Sequence, residues 1–234
     1  MTSETKILSG GSTMALCVAI PDGAGPFPAL VVAHHRGGVD DFTRAVCDRL
    51  AQSGFVAAAP NLYHRRPADE DSLEARKYLE DGHTITDVNA TLDHLFTLKV
   101  RRDAIGVMGH CMGGRTSFLC AASIPVFRAA AMCYGGGIMT SRADNRPPPF
   151  EFARDIRCPI AGFFGRDDKN PSPEDVAKIS AELDRYHVRH DFRTYDGAGH
   201  AFQDFTTPKS YREQQSDDAW RRIIPFFKAE LGRS

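Results

Sequence analysis

The sequence predicts an α/β fold, with a mostly parallel central sheet covered by helices on both faces. Two observations carry this. Short apolar runs bounded by glycine or proline recur along the chain, and between them lie segments whose apolar residues fall at helical spacing. Strands alternating with helices bury a parallel sheet from both sides. The 234 residues suffice for one well-buried core, so residues 1–234 are read as a single domain.

Residues 14–20 and 29–33 read as the first strands. Residues 41–53 follow as a helix, with Phe42, Ala45, Val46 and Leu50 on one face and Gly54 as its stop. Residues 55–59 form the next strand, closed by Pro60. Helical patterning over 72–98 is interrupted by Gly82, which predicts two helices with a break near Asp81-Gly82-His83. The remaining elements are a strand at 104–108, a helix at 112–122, strands at 129–133 and 160–164, a helix at 173–186, a strand at 191–195 and a closing helix at 211–231. In such a sheet, reactive groups gather at the carboxyl ends of the strands.

Composition removes several function classes. With 29 basic against 30 acidic residues there is no electrostatic footprint for nucleic acid, and the basic pairs are scattered. The polar start of the chain and the lack of any apolar stretch of spanning length predict a soluble cytoplasmic protein with no membrane partner. Six cysteines are dispersed without CxxC spacing, and five of them read as small core residues. The histidines form no metal-binding pattern; His187 and His190 lack further ligands, so neither metal nor cofactor is expected.

The sixth cysteine is different. Gly109-His110-Cys111-Met112-Gly113 follows an apolar strand and opens a helix, which is the cysteine form of the nucleophile elbow of the α/β-hydrolase fold. A thiol there faces unpaired N–H groups and the positive end of a helix dipole, both of which favour the thiolate. The backbone N–H of Met112 would face an oxyanion on a substrate carbonyl. A base and an acid follow in the order such folds use: Asp168, preferred to Asp167, after the strand at 160–164, then His200 in the glycine-rich run Gly197-Ala198-Gly199.

Across nearly its whole length the chain resembles the dienelactone hydrolase (carboxymethylenebutenolidase) family. The resemblance rests on the elbow, on Ala33-His34-His35-Arg36-Gly37-Gly38, on residues 50–63 ending in Asn61-Leu62-Tyr63, and on Gly199-His200-Ala201-Phe202. It implies Cys111 as nucleophile, His200 as base, Asp168 as its orienter, and the N–H groups of Met112 and Arg36 as the oxyanion hole. The implied substrate is a small ester or lactone, opened through a thioester. Arg65 matches one of two arginines with which the family holds a substrate carboxylate, and His35 and Tyr134 are further pocket candidates. Tyr63 is another.

Two positions depart from the family. His35 stands where members that open dienelactone have a glutamate, and Asp204 where the second arginine would be. A carboxylate facing the substrate repels an anion, so a neutral or differently charged substrate is expected unless Arg36 or Arg66 compensates. Other readings of the same residues stay open: a redox sensor using Cys111, or a thiol acyltransferase or peptidase. Oligomeric state is also open, monomer or homodimer.

Overall fold

The computed structural model describes residues 2–67 and 74–232. Eight strands form one sheet: β1 (Ser3–Ser9), β2 (Ser12–Ala19), β3 (Phe27–Ala33), β4 (Val56–Pro60), β5 (Val100–His110), β6 (Ala129–Cys133), β7 (Ile160–Gly165) and β8 (His190–Tyr195). Their spatial order is β1-β2-β4-β3-β5-β6-β7-β8. From β4 to β8 every neighbouring pair is parallel, and β2 alone runs against the rest, pairing antiparallel with β1 on one side and β4 on the other.

Among the described residues five α-helices cover the sheet: α1 (Asp41–Gln52), α2 (Asp81–Leu95), α3 (Met112–Ser123), α4 (Pro173–Arg185) and α5 (Glu213–Leu231). Alternate residues of the central strands divide the core in two, as the two-residue period of a strand requires. Val31, Ile105, Val107 and Met132 pack with Val88 and Leu92 of α2, Phe118 of α3 and Ile179 of α4. Leu30, Val32, Met108 and Ala131 face the other way, onto Phe42 and Leu50 of α1 and Ile223 and Phe227 of α5. Both faces are covered, which is why the strands read as continuous apolar runs.

The predicted helices and strands from residue 14 onward recur in the structure, with two differences. Strand β1 has no counterpart in the sequence reading. Its polar, alternating residues sit at the sheet edge, where one flank meets water, and Gly10 and Gly11, both at positive φ, turn it into β2 with Ser9 opposite Ser12. The second difference lies at Asp81-Gly82-His83: the expected break between two helical segments falls slightly earlier, at 79–80, and these residues begin α2. The Asp144 carboxylate accepts the Gly82 N–H at 3.0 Å and so satisfies a donor of that first turn. Before it, a short 3₁₀ turn, Ala75–Tyr78, is what the described residues show; the start of the expected helix, 72–73, lies outside them.

β3 is followed by α1 to β4 on one side and, through α2, by β5 on the other. The strand order therefore reverses between β3 and β5, leaving a crevice at their carboxyl ends. His34 to Arg36 leave one strand there and Cys111 leaves the other.

Candidate active site

Cys111 sits between the last residue of β5 and the first of α3, with φ 55° and ψ −119°. A side chain in that region costs about 1–3 kcal/mol, so the surroundings must impose it. They do so through hydrogen bonds: Cys111 N–H donates to the Cys133 carbonyl at 2.9 Å, and Gly114 N–H donates to the Cys111 carbonyl at 2.9 Å. The glycines are required by contact. A Cβ on Gly113 would lie 2.0 Å from the Ala33 carbonyl oxygen, and one on Gly109 would lie 2.4 Å from the Gly113 carbonyl. The GxCxG spacing is thus what lets α3 start directly over β3 and β5.

Two loops bring the other groups to the thiol. His200 Nε2 lies 3.0 Å from Cys111 Sγ, and its Nδ1 lies 2.8 Å from Asp168 Oδ2. Asp168 Oδ1 accepts the Asn170 N–H at 2.9 Å, so both oxygens of this buried carboxylate are engaged. The neighbouring Asp167 is exposed, and its N–H ties the acid loop to the histidine loop by donating to the Ala198 carbonyl at 2.9 Å. Of the adjacent pair, Asp168 is the carboxylate that meets the imidazole.

The electrostatics favour a charged pair. Burial pushes the Cys111 thiol up, but the hydrogen bond and charge of His200 and the N–H of Met112 outweigh it and leave the thiol below its ordinary value. For His200 burial acts downward, and the hydrogen bonds to Asp168 and Cys111 overcome it, raising the imidazole to about 10. Both shifts move the proton from sulfur to nitrogen.

The loop after β3 is held from several sides. His34 Nε2 accepts the Leu62 N–H at 3.1 Å while Nδ1 donates to the His35 carbonyl at 2.7 Å, an arrangement only the neutral imidazole can make. Burial depresses this histidine to about 4. The Tyr63 hydroxyl donates to the Arg36 carbonyl at 3.0 Å and lies 3.5 Å from Met112 Sδ, linking the two segments expected to supply the oxyanion hole. Tyr63 braces this region and is buried.

A cavity of about 600 Å³ opens over Cys111, Met112 and His200. Of the residues proposed from sequence for substrate contact, His35, Arg65 and Tyr134 are not among its lining. Arg65 donates to Asp87 at 2.6 Å and to the Ser9 carbonyl at 3.3 Å. Tyr134 is 1% exposed, with its ring 5.3 Å from that of His200. It packs behind the imidazole. His35 Nε2 lies 2.7 Å from Asp40 Oδ2 and its Nδ1 3.8 Å from Asp204 Oδ2. Its burial lowers the imidazole's basicity, but the two carboxylates more than offset this and raise it.

The two positions that depart from the family pattern therefore face each other. Asp204 is buried, accepts from Thr206 N–H at 2.9 Å and is within 3.2 Å of Thr207 Oγ1. It does not line the cavity, so the expected repulsion of an anionic ligand by Asp204 has no basis in the structure. The lining is instead cationic: Arg36, Arg76, Lys77, Arg115 and Arg142 against a single carboxylate, Glu74, among the described residues. Sequence reasoning missed this. Arg142 lies in an irregular loop with no motif around it, and only folding brings it over the elbow.

Among the described residues no group of three or more His, Cys, Asp and Glu side chains is placed to hold a metal ion, and no helix is long and apolar enough to cross a membrane.

A mostly parallel sheet with its thiol elbow, acid loop and histidine loop at the carboxyl ends defines the α/β-hydrolase fold. The profile of the dienelactone hydrolase family matches residues 14–231, and the chain belongs to that family. It is 32% identical, over 92% of its length and 91% of the relative's, to a putative carboxymethylenebutenolidase of Synechocystis. It is also 28% identical, over 95% of its length and 92% of the relative's, to a probable 2-oxo-3-(5-oxofuran-2-ylidene)propanoate lactonase of Bradyrhizobium. The crystal structure of a putative dienelactone hydrolase from Klebsiella pneumoniae superposes with a TM-score of 0.90 at 27% identity, covering 100% of this chain and 99% of that one.

Proposed function

We propose that this protein hydrolyses a small carboxylic ester or lactone with Cys111 as nucleophile. The observation that carries the reading is the hydrogen-bonded series Cys111 Sγ, His200, Asp168, at 3.0 and 2.8 Å, opening onto the cavity. The name of the Bradyrhizobium relative, a probable lactonase, supports the substrate class.

In this reading the Cys111 thiolate adds to the ester carbonyl, and the resulting oxyanion is met by the N–H groups of Met112 and Arg36. Collapse of the tetrahedral adduct breaks the C–O bond, and the protonated His200 transfers its proton to the leaving oxygen. A thioester on Cys111 remains. His200, now neutral, takes a proton from water as the water attacks the thioester; collapse then expels the Cys111 thiolate, returning the imidazolium and releasing the carboxylic acid. Asp168 keeps the proton-bearing Nδ1 fixed so that Nε2 faces sulfur and substrate. For an enol lactone the released enol becomes the ketone, which makes ring opening effectively irreversible.

The test is hydrolysis of p-nitrophenyl acetate and of a simple lactone by the wild-type protein and by Cys111→Ala. Turnover that disappears with the thiol supports the reading. Turnover retained by Cys111→Ala refutes it.

A further inference from the structure

Three residues around the thiol hold backbone angles that side chains rarely adopt: Cys111 at φ 55°, Tyr134 at φ 40°, and Ala201, directly after His200, at φ 61°. The elbow contacts impose the first. A bulky residue in the left-handed region is an outlier that persists only where the surrounding structure forces it, and such outliers gather at functional sites.

The strand before Tyr134 shows what its turn achieves. Along β6 the side chains alternate: Ala129, Ala131 and Cys133 face α1 and α5, while Ala130 and Met132 face the layer of α2, α3 and α4. Continued alternation would send residue 134 to that second layer. Tyr134 packs instead on the same face as Cys133, with the ring of Phe202, from the histidine loop, 5.4 Å from its own. The turn is held from both sides. Tyr134 N–H donates to the Phe163 carbonyl of β7 at 2.7 Å, and the next residue, Gly135, lies so close to α3 that a Cβ on it would be 2.8 Å from the Gly114 carbonyl carbon.

The ring delivered there is 1% exposed and meets the His200 imidazole at a T-shaped angle of 69°, with centroids 5.3 Å apart. An imidazole bonded at Nδ1 to Asp168 and at Nε2 to Cys111 is fixed along the line between those partners. It is still free to tilt about that line, because the torsion that carries the ring is soft. An aromatic ring in T-shaped contact opposes the tilt. The Tyr134 hydroxyl has no part in the contact: it is buried and meets no hydrogen-bond partner among the described residues.

We propose that Tyr134 is a positioning residue for the imidazole: its ring, swung behind His200 by the left-handed turn after β6, holds Nε2 in line with Cys111 Sγ. The proposal deepens the hydrolase reading and rests on it for turnover, while the reactivity of the thiol tests it separately.

The test compares Tyr134→Leu and Tyr134→Phe with a control, Phe55→Leu, which removes an equally buried ring next to the amino end of β4, at the far end of the sheet. Each is measured for hydrolysis of p-nitrophenyl acetate, for alkylation of Cys111 by iodoacetamide at pH 7, followed by the mass of its peptide, and for its urea midpoint. Tyr134→Leu is expected to lower kcat about ten-fold with KM within about two-fold, and to slow alkylation about three-fold. Tyr134→Phe keeps the ring and should hold both rates within about two-fold of the wild type. Phe55→Leu should lower the urea midpoint and leave both rates within about two-fold. Undiminished rates in Tyr134→Leu, a loss in Tyr134→Phe as large as in Tyr134→Leu, or an equal loss in Phe55→Leu overturns the proposal. Should Tyr134→Leu not fold, Tyr134→Met decides by the same comparison. If the wild type hydrolyses no ester, the hydrolase reading falls and alkylation alone decides: equal rates in wild type and Tyr134→Leu overturn the positioning role, and a slower rate in the variant supports it.

Discussion

Cys111 and Cys133 stand at the carboxyl ends of neighbouring strands, close enough that the backbone N–H of the first donates to the carbonyl of the second at 2.9 Å. Their chemistry diverges. Cys133 points into the core between β6 and α5, wholly buried, and burial alone drives its thiol far above the usual range. Cys111 is also mostly surrounded by protein, yet His200 and the Met112 N–H pull its thiol down. The difference comes from the turn: a left-handed backbone at Cys111 lifts its side chain out of the sheet toward the crevice, where an N–H group and an imidazole converge. A cysteine in a strand becomes packing, and one residue beyond the strand it meets an imidazole and an open cavity.

The sharpest way to break this comparison is to delete each thiol in turn. Cys111→Ala should reduce ester turnover by roughly a thousand-fold or more. Cys133→Ala should keep turnover within about three-fold and lower unfolding free energy by about 1 kcal/mol, measured in urea. Equal losses of activity would dissolve the distinction. Next in size, Asp168→Asn should cost about a hundred-fold in kcat, because an amide can present its N–H to Nδ1 and favour the wrong tautomer. The exposed Asp167→Asn should change kcat by less than about three-fold; the reverse ranking would move the acid to the neighbouring residue.

The thiol itself can be read without any substrate. Removing the imidazole in His200→Ala leaves burial as the main influence on Cys111, so its alkylation by iodoacetamide at pH 7 should slow by about ten-fold and recover only as the pH rises past about 9. In the wild type, whose thiol is held below its ordinary value, alkylation should persist at neutral pH and fall as acid protonates the sulfur. A rate unchanged by His200→Ala would mean that the imidazole does not set the thiolate.

A last effect, on stability and not on activity, concerns two histidines that must stay neutral. Burial holds His34 at about 4 and His110, one residue before Cys111, at about 3. Both take up a proton more readily once unfolded, so the unfolded state binds more protons between these values and about 6.5, and stability rises with pH across that window. On lowering the pH from 7 to 5 each should cost about 2 kcal/mol of unfolding free energy. A urea midpoint that does not move between pH 7 and 5 would contradict their burial as neutral groups.

Much of the site was legible because local rules carry it. The glycines on either side of Cys111 are demanded by contacts of 2.0 and 2.4 Å, and a backbone approach that close admits no other residue, so it writes itself into the sequence. The chain order of Cys111, Asp168 and His200 could be read because each closes a recognisable strand. Strand β1 escaped notice for the opposite reason: an edge strand with one wet flank needs no apolar run, and Gly10-Gly11 was its only signal. The break expected near Gly82 lies about two residues earlier, because a glycine in the first turn of a helix looks like an interruption until its N–H is seen to meet Asp144.

The sequence by itself determined the layered α/β arrangement, the thiol elbow and the order of the residues around it, since these follow from periodicity and from backbone contacts between near neighbours. Tertiary structure alone decided which charges remain available. Arg65 is matched by Asp87, Asp204 faces His35, and Arg142 is left sharing Asp81 with Arg115. Charge pairing is a property of distance between segments far apart in the chain, and no local pattern records which guanidinium will find a carboxylate and which will stop 3.7 Å short of one.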